Sequence, residues 1–190
     1  MSKLILSLLA ALAIAACSRE SVHPEPAQQH QAQMDQSPDS GEGALYIEAL
    51  ASAVQKSDRI VITEHSIGYD VLDEKTQPQL PVGYVPIIYA EHALTNSERS
   101  TFLVMIRATA PKPEAAEPAC IFEPHHTISF YSGKVKTSTM QICYQCGQVE
   151  WDGTNKQRPW ALISTLKWLA ASAGMKADRD WIALAKGGVK

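Results

Sequence analysis

The chain has 190 residues, 45% hydrophobic and 19% charged, with a formal net charge of -3. That is enough for one domain with its own core. A pI near 6.1 without a basic run, and an aromatic content of 7%, exclude a surface built to hold nucleic acid. No internal repeat is visible, which excludes repeat architectures.

The N-terminus opens with Met1-Ser2-Lys3, a short positive start, and continues with an apolar run from Leu4 to Ala13. So short a run is a poor permanent span for about 30 Å of hydrocarbon, and residues 1–16 read as a signal peptide. Small residues then lead to a cysteine at Ile14-Ala15-Ala16-Cys17, and this stretch resembles the lipobox of bacterial lipoproteins. The resemblance implies cleavage before Cys17, a diacylglyceryl thioether on its sulfur and an acylated amino group. In that family a non-acidic residue after the cysteine, here Ser18, implies sorting to the outer membrane with the domain facing the periplasm. Each buried acyl methylene contributes about 0.8 kcal/mol, so several chains on one residue hold firmly.

The next segment, "SRESVHPEPAQQHQAQMDQSPDSGEG", has three prolines, and its only large apolar residues are Val22 and Met34. Burying so little, it cannot offset its ordering entropy, and residues 17–43 are expected to be a lipidated cysteine followed by a disordered tether. Its span as a coil is roughly 28 Å. His23 and His30 lie in it as bystanders.

A single globular domain is expected over residues 44–190. "ALYIEALASAVQKSD" places Leu45, Ile47, Leu50, Ala51 and Val54 on one helical face. "RIVITEHS" is short and β-branched, a strand. A proline-bearing loop follows, then a second strand, "IIYAEH". Asn96 or Ser97 caps a helix through about Arg107, with Phe102, Leu103 and Ile106 inward. "HTISFYS", a turn at Gly133 and a return from Val135 to Tyr144 form a hairpin. Pro159 opens a helix that Gly174 stops, with Trp160, Ile163, Leu166, Lys167 and Ala170 as its stripe, and a shorter helix runs from about Asp178 to Lys186. Strands and helices do not alternate regularly. The fold class is therefore α+β, a small, mainly antiparallel sheet with helices packed on one face.

The chemistry-bearing residues gather in "CIFEPHHTISFYSGKVKTSTMQICYQC". With the turn centred on Ser132 to Lys134, Cys120 falls opposite Cys146, and His125 opposite Gln141 or a neighbour, with Cys143 diagonal to it. Three chemistries follow. Zinc would take Cys120, Cys143, Cys146 and either His125 or His126 as a tetrahedral Cys₃His set. Dithiol redox chemistry would use Cys143-x-x-Cys146, although that motif ends a strand instead of opening a helix. A structural disulfide, Cys120–Cys146 or Cys143–Cys146 with one buried free thiol, is the leading reading in an oxidising compartment.

The same stretch resembles a pattern of uncharacterised bacterial proteins, C-x3-P-x-H-x-I, a hairpin, then I-C-[FY]-x-C. On it Cys120, Pro124, His126, Cys143 and Cys146 are the shared positions. Tyr144 fills the aromatic place, and His125 stands where arginine is expected. The resemblance implies a shared local structure and no activity. Outside it, Glu64-His65 and Glu91-His92 each offer at most one residue to a common site, because neighbours in a strand face opposite ways. Trp151 and Trp160 are candidates to line a pocket. No nucleophile elbow, zinc-protease helix or phosphate-cradling loop occurs. The expectation is a membrane-anchored envelope lipoprotein, a non-enzymatic module that binds a protein or envelope partner. The alternative is a zinc-binding or thiol-redox protein.

Overall fold

The computed structural model describes residues 40–72, 79–80, 82–114 and 119–187. The expected signal peptide, Cys17 and nearly all of the tether lie outside them. The described chain is α+β, a five-stranded antiparallel sheet in the order β2-β1-β3-β4-β5 with four α-helices.

Helix α1 (Ser40–Lys56) begins four residues before the expected start, so the residues at Ser40–Gly43 belong to the domain rather than the tether. Glu42 in its first turn favours the positive helix end and pairs with Lys156 at 3.0 Å. Its buried face is turned from the expected one: Tyr46, Leu50, Ala51 and Val54 are inside, and Leu45 is exposed. Strand β1 (Arg59–His65) alternates Ile60, Ile62 and Glu64 onto one face. A 3₁₀ turn (Gly68–Val71) interrupts the expected loop, and β2 (Ile88–Ala93) forms an edge.

Helix α2 (Asn96–Ala108) is capped by Thr95, not Asn96 or Ser97. The Glu98 N–H donates to Thr95 Oγ1 at 3.2 Å and the Thr95 N–H to Glu98 Oε2 at 2.7 Å, a capping box. Those bonds, the Thr95 N–H first and His92 next, hold the Glu98 carboxyl down to about 2. Phe102 and Ile106 are buried, and Leu103 packs against the core.

Strands β3 (His126–Ser132) and β4 (Val135–Cys143) form the hairpin. The turn needs Gly133, whose φ of 59° is left-handed. Between Phe130 and Tyr131 the register shifts. The extra residue, Thr137, bonds the Phe130 carbonyl through its hydroxyl. This bulge corrects the expected pairing: Thr127, not His125, faces Gln141, and His126 faces Ile142.

A fifth strand, β5 (Gln148–Trp151), was not expected and pairs with the end of β4. Helix α3 spans Leu162–Ser172, starting later than Pro159 because Pro159 is held in a bridge with Pro113. Its buried stripe is Leu162, Thr165, Leu166, Leu169 and Ala170, whereas Trp160 and Lys167 are exposed. Helix α4 is Trp181–Gly187, shorter at its start than expected.

One core joins α1, α2 and α3 to a single face of the sheet. Phe102, Ile106, Leu162, Leu166 and Leu169 pack with Ile60, Ile62, Ile128, Phe130, Met140 and Ile142. Among the described residues no helix is long and apolar enough to cross a membrane.

Candidate functional site

The hairpin brings the flanks of β3 and β4 together, and Cys120 and Cys146 bond there with their Cα atoms 6.1 Å apart, inside the range disulfides tolerate. Of the two expected pairings this is Cys120–Cys146, and Cys143 is left as a buried free thiol. The expected Cys₃His set is not assembled, because two of its thiols are spent on each other. Among the described residues no group of three or more His, Cys, Asp or Glu is placed to hold a metal ion. The C-x-x-C pair is not a bonded pair, and it leads into the turn before β5 instead of a helix.

The two histidines turn away from the cysteines into a buried polar cluster where β1 ends and β3 begins. Alternation along β1 that buries Ile60 and Ile62 also buries Glu64 completely. Arg179, from the segment between α3 and α4, answers it with Nε at 2.5 Å and Nη2 at 3.1 Å, a two-pronged pair. Burial pushes the Glu64 carboxyl up, against the opposing pull of Arg179 and Lys176.

Beside this pair the His125 Nε2 lies 3.0 Å from Asp70 Oδ1, with both side chains buried. The His125 Nδ1 faces the Glu123 carbonyl at 3.1 Å. Both ring nitrogens therefore face oxygen atoms within hydrogen-bonding distance. Asp70 also takes the Ile67 N–H at 2.7 Å, which fixes the 3₁₀ turn.

His126 is 1% exposed and directly beside Glu64 in the β1–β3 pairing. Burial first, then the neighbouring His65, His125 and Arg179, pull its imidazole down to about 3, although a bond to the Lys176 carbonyl opposes them. Its Nε2 has no partner. His65 joins at the margin, with Nε2 2.8 Å from Thr127 Oγ1 and Nδ1 2.9 Å from the Ser66 carbonyl. Burial lowers its pKa as well. His92 stays out of the cluster and pairs with Glu98 at 3.0 Å.

Trp181 closes the arrangement. Its indole stacks on His125 at 4.2 Å and 7° and meets His126 edge-on at 5.7 Å. A cleft of about 290 Å³, lined by Tyr69, Asp70, Glu123, His125, Arg179 and Trp181, opens above. Asp70, Arg179 and Trp181 were not foreseen as site residues, and Glu64 was weighed only within the Glu64-His65 pair, of which one residue at most was expected in a common site. The available signal was Glu64 itself, since a carboxylate at a core position of a strand calls for a buried cation.

No protein-family profile, curated protein or solved structure matches the chain.

Proposed function

We propose that the protein is a membrane-anchored envelope lipoprotein whose disulfide-stapled α+β domain serves as a non-enzymatic binding or structural module. On this reading residues 1–16 are removed, Cys17 carries the acyl chains, and the domain faces the periplasm from the outer membrane. The observation that carries the reading is the Cys120–Cys146 bridge, because disulfides persist in the oxidising compartment to which a lipobox directs a chain. The polar cluster supports a non-enzymatic role. Both nitrogens of His125 face internal oxygens, and Arg179 is ion-paired with Glu64 and donates to it through Nη2, contacts that tie the 3₁₀ turn and the segment before α4 to the sheet.

Fractionation of Cys17→Ser tests the anchor. The wild type is expected in the outer-membrane fraction and the variant in the soluble periplasmic fraction, both with a single free thiol in the folded domain after alkylation. A variant that remains in the membrane as the wild type does would sink the assignment of Cys17.

A further inference from the structure

From Gln79 to Ala90 the sequence holds no Asp, Glu, Lys, Arg or His, yet most of its described residues lie at the surface. Leu80, Val82, Val85, Ile87 and Ile88 are exposed, Val85 to 76% and Val82 completely. Tyr69, from the 3₁₀ turn, stands 63% exposed beside Leu80. The two border a cleft of about 380 Å³ with Ile67, Leu72 and Phe122, and no side chain lining it carries a charge. Apolar residues exposed singly are ordinary, but a cluster of them marks a surface that meets something other than water.

The loop is held at both ends. Leu80 lies against Gly68, where an added Cβ would come within 2.8 Å of the leucine Cδ1. The buried Ser66 hydroxyl accepts the Ile87 N–H at 2.8 Å and lies 2.7 Å from the Tyr84 hydroxyl. The Ser66 N–H in turn donates to the Ile87 carbonyl at 2.9 Å. Between these ties the chain turns at Gly83, whose φ of 76° is left-handed. The ties fix the backbone from the inside and leave Val82 and Val85 bare.

Two features name the occupant. The first is position. Helix α1 packs on the sheet, and the link Ser57-Asp58 turns the chain back into β1, so the start of α1 and the end of β1 lie at one end of the domain. The loop is tied to Ser66 at that end, and the chain leaves Ser40 toward Cys17 there too. Taken as a coil, Ser18 to Asp39 spans roughly 26 Å. A bilayer that holds acyl chains on Cys17 is then within reach of the loop. The second feature is the edge. A second copy would most readily add a strand to β2, but β2 carries a bulge at Tyr89 and an exposed Glu91. Both devices resist pairing with another chain. An uncharged apolar surface beside so guarded an edge suits the boundary between headgroups and acyl chains.

We propose that this loop, with Tyr69 beside it, docks the domain onto the lipid bilayer and seats Val82, Val85 and Ile88 at the headgroup–acyl boundary. The docking rests on the lipid anchor for its reach, whereas the contact itself is made by the domain's own side chains.

The test uses the full chain in vesicles of phosphatidylethanolamine and phosphatidylglycerol. A nitrobenzoxadiazole dye is placed on Val82→Cys and, as control, on Lys134→Cys at the hairpin turn. Cys143 is buried and Cys120 is bonded to Cys146, so of the domain's thiols only the new one takes the dye. The Val82→Cys dye is expected to brighten. Lipid bearing a nitroxide near its headgroup should quench it several-fold more than the Lys134→Cys dye. Adding Val85→Ser/Ile88→Ser alters only exposed side chains, and should lower that quenching toward the control without changing the melting temperature. Intact mass reads the anchor separately: a chain without acyl groups overturns the anchor whatever the dye reports. A Val82→Cys dye quenched no more than the control overturns the docking, with or without acyl groups. Two further results overturn it. Quenching that Val85→Ser/Ile88→Ser leaves unchanged would mean that the dye inserts by itself. Brightening without nitroxide quenching, in a chain that crosslinks as a dimer, would mean that a second copy covers the loop.

Discussion

The His126 imidazole sits on the core face of β3, held down to about 3 mainly by its burial. Between that value and the ordinary histidine value of about 6.5, the unfolded chain binds a proton that the folded chain refuses. Stability is therefore full above this window and is lost as pH falls through it. Glu64 acts in the opposite sense. Its pKa is raised by burial, so the folded chain takes up its proton before the unfolded chain does, and acidification relieves part of its cost. The net expectation is a melting temperature that falls as pH is lowered from about 7 to about 4, and a shallower fall in His126→Phe. Thermal melts by circular dichroism across this range check it, and an unchanged slope in the variant would remove His126 as the cause. The Glu64–Arg179 pair makes a separate prediction. Arg179→Ala leaves a buried carboxylate without its cation and should cost about 3 kcal/mol in urea denaturation. The double change Glu64→Leu/Arg179→Leu should cost clearly less, because no charge is then left unpaired. Equal losses in the two would mean that the pair matters through its packing alone.

At the scale of elements the bridge across the flanks of β3 and β4 closes a loop with a sequence separation of 26. Constraining that loop in the unfolded chain is expected to contribute about 3 kcal/mol. Reductant should lower the denaturation midpoint of the wild type to that of Cys120→Ser and leave the variant where it was. Chelator should leave both unchanged, whereas a zinc-held hairpin would respond to it. How much of these elements was legible follows from their periodicity. The apolar spacing of α1 and α2 and the alternation in β1 and β3 made their type plain, and the turn at Gly133 placed Cys120 near Cys146. The bulge at Thr137 was not legible, because an extra residue in one strand leaves the alternation on either side intact. Strand β5 was missed for a different reason. Four residues, Gln148–Trp151, between Gly147 and the turn at Gly153 carry too little pattern to separate a strand from a loop. Thr95 was overlooked as a cap although Glu98, three residues on, completes the capping-box spacing.

For the whole molecule, what local pattern could not supply was the assembly of the polar cluster. Glu64, Asp70, His125, His126 and Arg179 come from four separate stretches of chain, and nothing in the spacing of any one of them names the others. Only the sheet order, which sets β1 beside β3, and the return of the chain after α3 bring them together. The same topology leaves the β3–β4 turn, Gly133 and Lys134, exposed at the end of the hairpin away from the Cys120–Cys146 bridge. That placement has a consequence for survival among proteases. A tryptic cut after Lys134 falls inside the loop that the bridge encloses, so the two halves of the chain remain a single covalent molecule. On a gel run without thiol the nicked protein migrates as one intact band, and the same sample run with thiol resolves into two fragments.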